Sequence, residues 1–206
     1  MRPMKALLVI LLVQHAVISA RAGLITYVRN LTVAVDEHIG EGNEVHGGPG
    51  SRFEAMLTPD SYVRMRGASA IALESETLDR TVIRVLSGTA IIDAGRVDRD
   101  IPIRVRLGEL EFSIAKDGLY LFEEDRVVVL DGEMNVTPQH ETMADGRLRK
   151  GWAVARSEAD RSYVRIQLDT DEFDALPLVR WSRQRSAQLA PERTLRRDRP
   201  GRRWRF

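Results

Sequence analysis

Cysteine is absent from the 206 residues. Its absence excludes disulfides, a thiol nucleophile, and any zinc or iron–sulfur site built on thiolates. Long apolar runs are missing too. The run Ala6–Val13 stops at Gln14 and His15, well short of the roughly 20 residues that a membrane-spanning helix needs. No Ser stands in a Gly-x-Ser-x-Gly elbow, and no glycine cluster leads into Gly-Lys-Ser/Thr. The usual signatures of a serine hydrolase and of a phosphate-binding loop are thereby removed. Histidine is scarce: His15 lies in the first apolar segment, His38 and His46 in a glycine-rich stretch, and His140 in an exposed turn. Ser87 falls in a turn that favours a small residue anyway. With no reactive constellation assembled, the chain reads as a protein without catalytic residues and without a cofactor.

Charge is distributed unevenly. The first 22 residues hold three basic side chains, and the last 17 hold seven Arg against Glu192 and Asp198. Removing these from the totals of 31 basic and 30 acidic residues leaves 21 basic against 28 acidic between Gly23 and Leu189. The body is acidic and the basic character is terminal. At the N-terminus, Arg2 and Lys5 precede the apolar run, and Ala20-Arg21-Ala22 offers small residues at both recognition positions of a leader peptidase. We therefore expect residues 1–22 to be an export signal cleaved before Gly23. An exported domain large enough to fold without disulfides fits a bacterial envelope, periplasmic or secreted.

One phrase recurs: an apolar run, a glycine, then alternating small, polar and apolar residues. It reads Val85-Leu86-Ser87-Gly88-Thr89-Ala90-Ile91-Ile92 and again Val129-Leu130-Asp131-Gly132-Glu133-Met134-Asn135-Val136. Weaker copies surround Gly67, Gly108 and Gly151, so that successive glycines are 21, 20, 24 and 19 residues apart by subtraction. Such a quasi-period predicts an all-β domain of stacked short-stranded hairpins, sandwich- or solenoid-like, over residues 23–169. Ile103–Leu107 alternates cleanly after Pro102, which marks the start or edge of a strand. Lys116-Asp117-Gly118 between two strand-like runs predicts a hairpin. Five glycines and Pro49 within Asp36–Ser51 predict a mobile loop. A helix is expected over residues 170–190, capped by Thr170 and interrupted at Pro177, with Trp181 anchoring it to the sheet. Residues 191–206, rich in Arg, read as a disordered tail.

Three groups of residues merit a chemical reading. Asp36, Glu37, His38, Glu41, Glu44 and His46 offer imidazoles and carboxylates for a divalent ion, but their spacing matches no metal loop and a solvated polar loop is the simpler reading. Glu109 and Glu111, placed at i and i+2 of a strand, would share one face like the paired carboxylates of a sugar hydrolase. The simpler alternative is the wet face of a half-buried sheet whose core side is Leu110, Phe112 and Ile114. Arg64 and Arg66, Arg104 and Arg106, and Arg161 and Arg165 put charge at period two, the pattern of surface side chains paired across a sheet.

The phrases VIRVLSGTAIID and RVVVLDGEMNV, followed by LRKGWAV, resemble the FecR-type domain. The order of segments is similar to stand-alone exported FecR-like proteins of acidobacterial type. In these a Leu-Thr-Pro segment, here Leu57-Thr58-Pro59, comes early, and a Phe-Asp region precedes a Trp-Ser-x-x-Arg-Ser motif. Here those last two are Phe173-Asp174 and Trp181-Ser182-Arg183-Gln184-Arg185-Ser186. The resemblance implies an all-β body outside the cytoplasm and supplies no catalytic residues. FecR regulators carry a cytoplasmic anti-sigma segment ahead of this domain, whereas only five residues precede the apolar run here, so we do not expect that role. The reading is a non-enzymatic envelope domain that binds a protein or an extracellular polymer. Nucleic acid is not expected as a partner. The alternatives are a carbohydrate-active enzyme using Glu109 and Glu111, and a structural protein whose Arg-rich tail, with Trp204 and Phe206, makes a peripheral membrane contact.

Overall fold

The structure, a computed structural model, describes residues 21–138, 146–157, 159 and 162–197. The expected export signal through residue 20, the turn holding His140, Arg161, and the final residues 198–206 lie outside that set. Fifteen strands are described: β1 (Leu24–Arg29), β2 (Glu44–His46), β3 (Arg52–Thr58), β4 (Ser61–Arg66), β5 (Ala70–Ser75), β6 (Val82–Ser87), β7 (Thr89–Ala94) and β8 (Ile103–Leu107) come first. They are followed by β9 (Leu110–Ile114), β10 (Gly118–Glu123), β11 (Arg126–Asp131), β12 (Glu133–Pro138), β13 (Gly146–Arg149), β14 (Trp152–Arg156) and β15 (Tyr163–Gln167). A 3-10 turn, Thr170–Ala175, leads into a single helix, α1 (Pro177–Arg197).

The strands form two sheets, ordered β1-β3-β4-β7-β10-β11-β14-β15 and β13-β12-β9-β8-β6-β5-β2. Among the described pairings all are antiparallel except β6 with β8. The hairpins β3–β4, β10–β11 and β14–β15 lie in the larger sheet and β5–β6, β8–β9 and β12–β13 in the smaller, while β7 crosses singly to the larger sheet between β6 and β8. The all-β expectation holds, and the recurring glycine takes on a definite role. Gly67, Gly88, Gly132 and Gly151 lie where the chain leaves one sheet for the other, and Gly108 turns the β8–β9 hairpin. All five have positive φ. At Gly88 (φ 69°) a Cβ would also sit 2.5 Å from the carbonyl oxygen of Ala68. That crossing is tied to its neighbour, since Thr89 N donates to Ser69 Oγ at 2.9 Å and Ser69 Oγ to Arg66 O at 2.9 Å.

Two predicted elements differ from what forms. The run after Lys116-Asp117-Gly118 is a strand, but β9 belongs to the smaller sheet and β10 to the larger, so the pair is no hairpin. Alternation reports which face a residue takes, not which sheet its strand joins. Within Asp36–Ser51, Glu44–His46 forms the edge strand β2 against β5, so part of the expected mobile loop is ladder.

Between the sheets lies one large apolar core, in which Phe53, Phe112, Tyr120 and Phe122 are fully buried. The outer face of the larger sheet is covered as well. Ile91, Leu121, Val128, Leu130 and Ala153 pack there against Phe173, Leu178, Val179 and Trp181. Strands β10 and β11 are thus enclosed on both sides, which is why LYLF and VVVL are unbroken apolar runs rather than alternating ones.

The covering segment differs in detail from expectation. Asp169, not Thr170, caps the 3-10 turn by accepting from Asp171 N at 3.0 Å. Leu176 is extended, and α1 begins afresh at Pro177, where a missing N–H costs nothing because a helix's first amides are unpaired anyway. The helix runs on past residue 190 to Arg197 with Pro191 inside it, so residues 191–197, read from sequence as disordered, are helical. Among the described residues no helix is long and apolar enough to cross a membrane.

Candidate functional site

Three charged side chains stand on the covered face of the larger sheet. Glu54 of β3 is the cross-strand neighbour of Arg64 on β4. Arg64 in turn is in register with Ile91 of β7, which places Asp93 one diagonal step away. All three side chains are buried, Glu54 and Arg64 completely. Arg64 Nε donates to Glu54 Oε2 at 2.6 Å and Nη1 to Asp93 Oδ2 at 2.9 Å.

The polar side of α1 closes over this group. Arg185 donates from Nη2 to Glu54 Oε1 at 2.7 Å, and Ser186 Oγ donates to Asp93 Oδ2 at 2.6 Å. The carbonyl of Ser182 lies 3.1 Å from Arg64 Nη1. Thr26 of β1 adds a bond from Oγ1 to Glu54 Oε1 at 2.9 Å. Burial alone would raise the pKa of Glu54, but the bonds from Arg185 and Arg64, with the charge of Arg64, outweigh it and hold the carboxyl below its ordinary value. The same bond to Glu54 raises Arg185. Nη2 of Arg64 has no hydrogen-bond partner among the described residues. The guanidinium carbon is 5.4 Å from the centre of the Tyr62 ring.

Trp181 completes the seal. Its ring centre is 5.4 Å from that of Tyr27, Arg52 lies over it at 5.8 Å, and Arg185 lies over Tyr27 at 5.3 Å. The arrangement sets two carboxylates and two guanidiniums against one another, largely shielded from water. Its chemistry is that of a clasp, fastening the helix to the sheet.

This cluster corrects the reading of Arg64 as a surface charge. Its partner in the period-two pattern, Arg66, is only half-buried, while Arg64 is enclosed because α1 covers its face. A signal existed in the sequence. Glu54, Arg64 and Asp93 each stand alone in an apolar stretch, FEAML, YVRM and AIIDA. The residues facing them are those of the Trp-Ser-x-x-Arg-Ser motif: Trp181, Ser182, Arg185 and Ser186.

The other candidates are dispersed. Glu44 and His46 share a face of β2 at 2.7 Å. Glu37 instead accepts from Ala34 N at 2.9 Å, and His38 lies in a bridge to Leu24. Among the described residues no three His, Asp or Glu side chains converge on a metal position. Glu109 lies in the turn at Gly108 and is exposed, while Glu111 on β9 accepts from Arg106 Nε at 2.9 Å. The two therefore do not form the shared strand face expected of them, because the turn takes Glu109 out of the strand's alternation. Arg104 and Arg106 are the paired surface arginines expected, both reaching Glu111.

Two open hollows lie at the end of the sandwich. One, of about 370 Å³, is lined by Arg147, Arg149, Trp152 and Arg165. The other, of about 700 Å³, also reaches Arg149 and includes Lys116, Lys150, Asp131 and Glu133.

No protein-family model and no curated protein matches the chain. The fold is similar to two crystal structures of a protein from Parabacteroides distasonis described as a "putative anti-sigma factor". The TM-score is 0.53 for each, at 17% and 16% sequence identity, with 65% of this chain matched in each case. The match spans 63% of that protein's own chain in both. Over the matched 65% of this chain, the β fold is therefore similar to one that has been solved for a protein of that description.

Proposed function

We propose that this chain is a FecR-like binding domain of the bacterial envelope, exported, without catalysis of its own, and acting by holding a protein or polymer partner. The observation that carries the reading is the placement of the repeated glycine phrases at the sheet-to-sheet crossings of a fold similar to that of the "putative anti-sigma factor". The phrases that resemble the FecR-type domain are thus the ones that build the architecture. Supporting it, the charged cluster lies beneath α1, where it fastens the helix and is largely shielded from solvent. Binding would fall to the exposed rims of the sandwich.

The test is capture from bacterial envelope extracts with the tagged full-length chain, beside fractionation of the same cells. The expected result is an enriched partner or polymer and recovery of the protein outside the cytoplasm. Recovery in the cytoplasm, or no enrichment over an unrelated exported β domain, would overturn the proposal.

A further inference from the structure

We propose that the rim where β13 faces β14 and β15 binds a carboxylate-bearing polysaccharide; this rests on the envelope-binding reading above and names the partner's chemistry. The smaller sheet ends at β13 and the larger one at β15, so two strand edges meet at this end of the sandwich. The core runs out there. Trp152 and Val154 share a face of β14 by alternation, yet Val154 is 1% exposed and Trp152 is 36% exposed. Arg165 stands opposite Val154 on β15. Its guanidinium lies against Gly146 of β13, where a side chain would collide with it. Arg165 thus reaches from one sheet edge to the other. Arg147 and Arg149, flanking the buried Leu148, complete the wall of the hollow.

The cationic lining continues past Arg149 into the second hollow, to Lys116 and Lys150. Across the two hollows six basic side chains line the wall against three acids, Asp117, Asp131 and Glu133. Asp117 accepts from Val97 N and Asp131 from Gly132 N, each at 3.0 Å, and Glu133 lies 3.6 Å from Arg147. A basic rim is therefore set on a body in which acidic residues outnumber basic ones by 28 to 21.

The residue types select the ligand. Guanidinium groups take carboxylates in a two-bond fork, and a half-exposed Trp offers a flat apolar face against which the C–H face of a sugar ring can stack. A polyuronate presents both features at every unit. Single-stranded nucleic acid would also offer anions and flat rings, but it is held by successive bases stacking on several aromatic side chains, and among the described residues Trp152 is the one aromatic that lines the hollow.

The experiment measures retention of the full-length chain on polygalacturonate, on its fully methyl-esterified form, and on oligo(dT). Binding to polygalacturonate should exceed that to the ester by about tenfold or more, and should weaken as salt rises from about 50 to about 300 mM. R149Q/R165Q should lose about tenfold in affinity, the loss of roughly one charge-assisted fork, and W152A a smaller amount. R84Q, which removes an exposed arginine on β6, should bind like the parent. On the unaltered chain, polygalacturonate should protect Arg149 and Arg165 from phenylglyoxal, a readout that needs no variant to fold. Equal binding to acid and ester, preference for oligo(dT), an unaffected R149Q/R165Q variant, or absence of protection would each overturn the proposal. If envelope extracts yield a partner equally to parent and R149Q/R165Q, the rim is refuted while envelope binding stands. Polygalacturonate binding with nothing captured from extracts refutes the envelope reading and leaves the rim.

Discussion

Arg185 on the C-terminal helix and Glu54 in the larger sheet are 131 residues apart in sequence, and their side chains meet at 2.7 Å. The contact spans most of the domain, since strands β4 to β15 form between the two residues. With Arg64 and Asp93 it makes the helix an integral layer of the fold rather than an appendage.

Removing the central cation should be costly. R64M leaves Glu54 and Asp93 buried with one positive partner fewer, and we expect a loss of about 3–5 kcal/mol. R185Q removes a charged hydrogen bond at a more exposed position and should cost about 2 kcal/mol. Urea denaturation of the two variants beside the parent measures both, and an R64M midpoint equal to the parent's would show that the cluster contributes nothing net.

Acid should weaken the same cluster. The folded carboxyl of Glu54 titrates below its ordinary value of 4.5, so in the window between the two values the unfolded chain takes up a proton that the folded chain refuses. The contribution is complete above the ordinary value and is lost as pH falls through the lower, folded one. Melting temperature should stay level from neutrality to about pH 5 and drop below about pH 4.5. E54Q should melt lower at neutral pH and show a shallower acid decline.

Trp181 holds the helix by area as well as by its ring contacts. W181A should destabilise the protein by about 3–5 kcal/mol. Loss of amide-exchange protection in α1 ahead of the strands would show that the helix leaves first, whereas uniform loss would show that helix and sandwich unfold as one unit.

The sheet crossings should not tolerate side chains equally. Gly67 has a positive φ but nothing within 4 Å of a built Cβ, so G67A should cost only the left-handed strain, about 1–2 kcal/mol. G88A adds a clash with the Ala68 carbonyl and should cost clearly more. Thermal melts of the pair, compared side by side, distinguish backbone strain from crowding.

Most of the strands were legible because their apolar runs and turn residues are local properties. Ile103–Leu107 starts just after Pro102, and Trp181 is the buried anchor that its size suggested. The β9–β10 hairpin was misread because a turn between two runs does not say which sheet each run joins. Glu109 was misplaced for the opposite reason, a two-residue turn interrupting a pattern that looked continuous. The rim residues Arg149, Trp152 and Arg165 gave no joint signal, since β13 and β15 come together only when both sheets are complete.

Composition, the glycine spacing and the alternation along the runs determined by themselves that this is an all-β domain with a helical C-terminal element, because backbone propensity and local burial pattern do not depend on distant partners. The tertiary structure alone decided that four of the glycines turn the chain from sheet to sheet, that Arg64 is an interior cation, and that a basic rim forms on an acidic body. Each of these depends on which distant segment covers a given face, and an alternating pattern records only that the face exists.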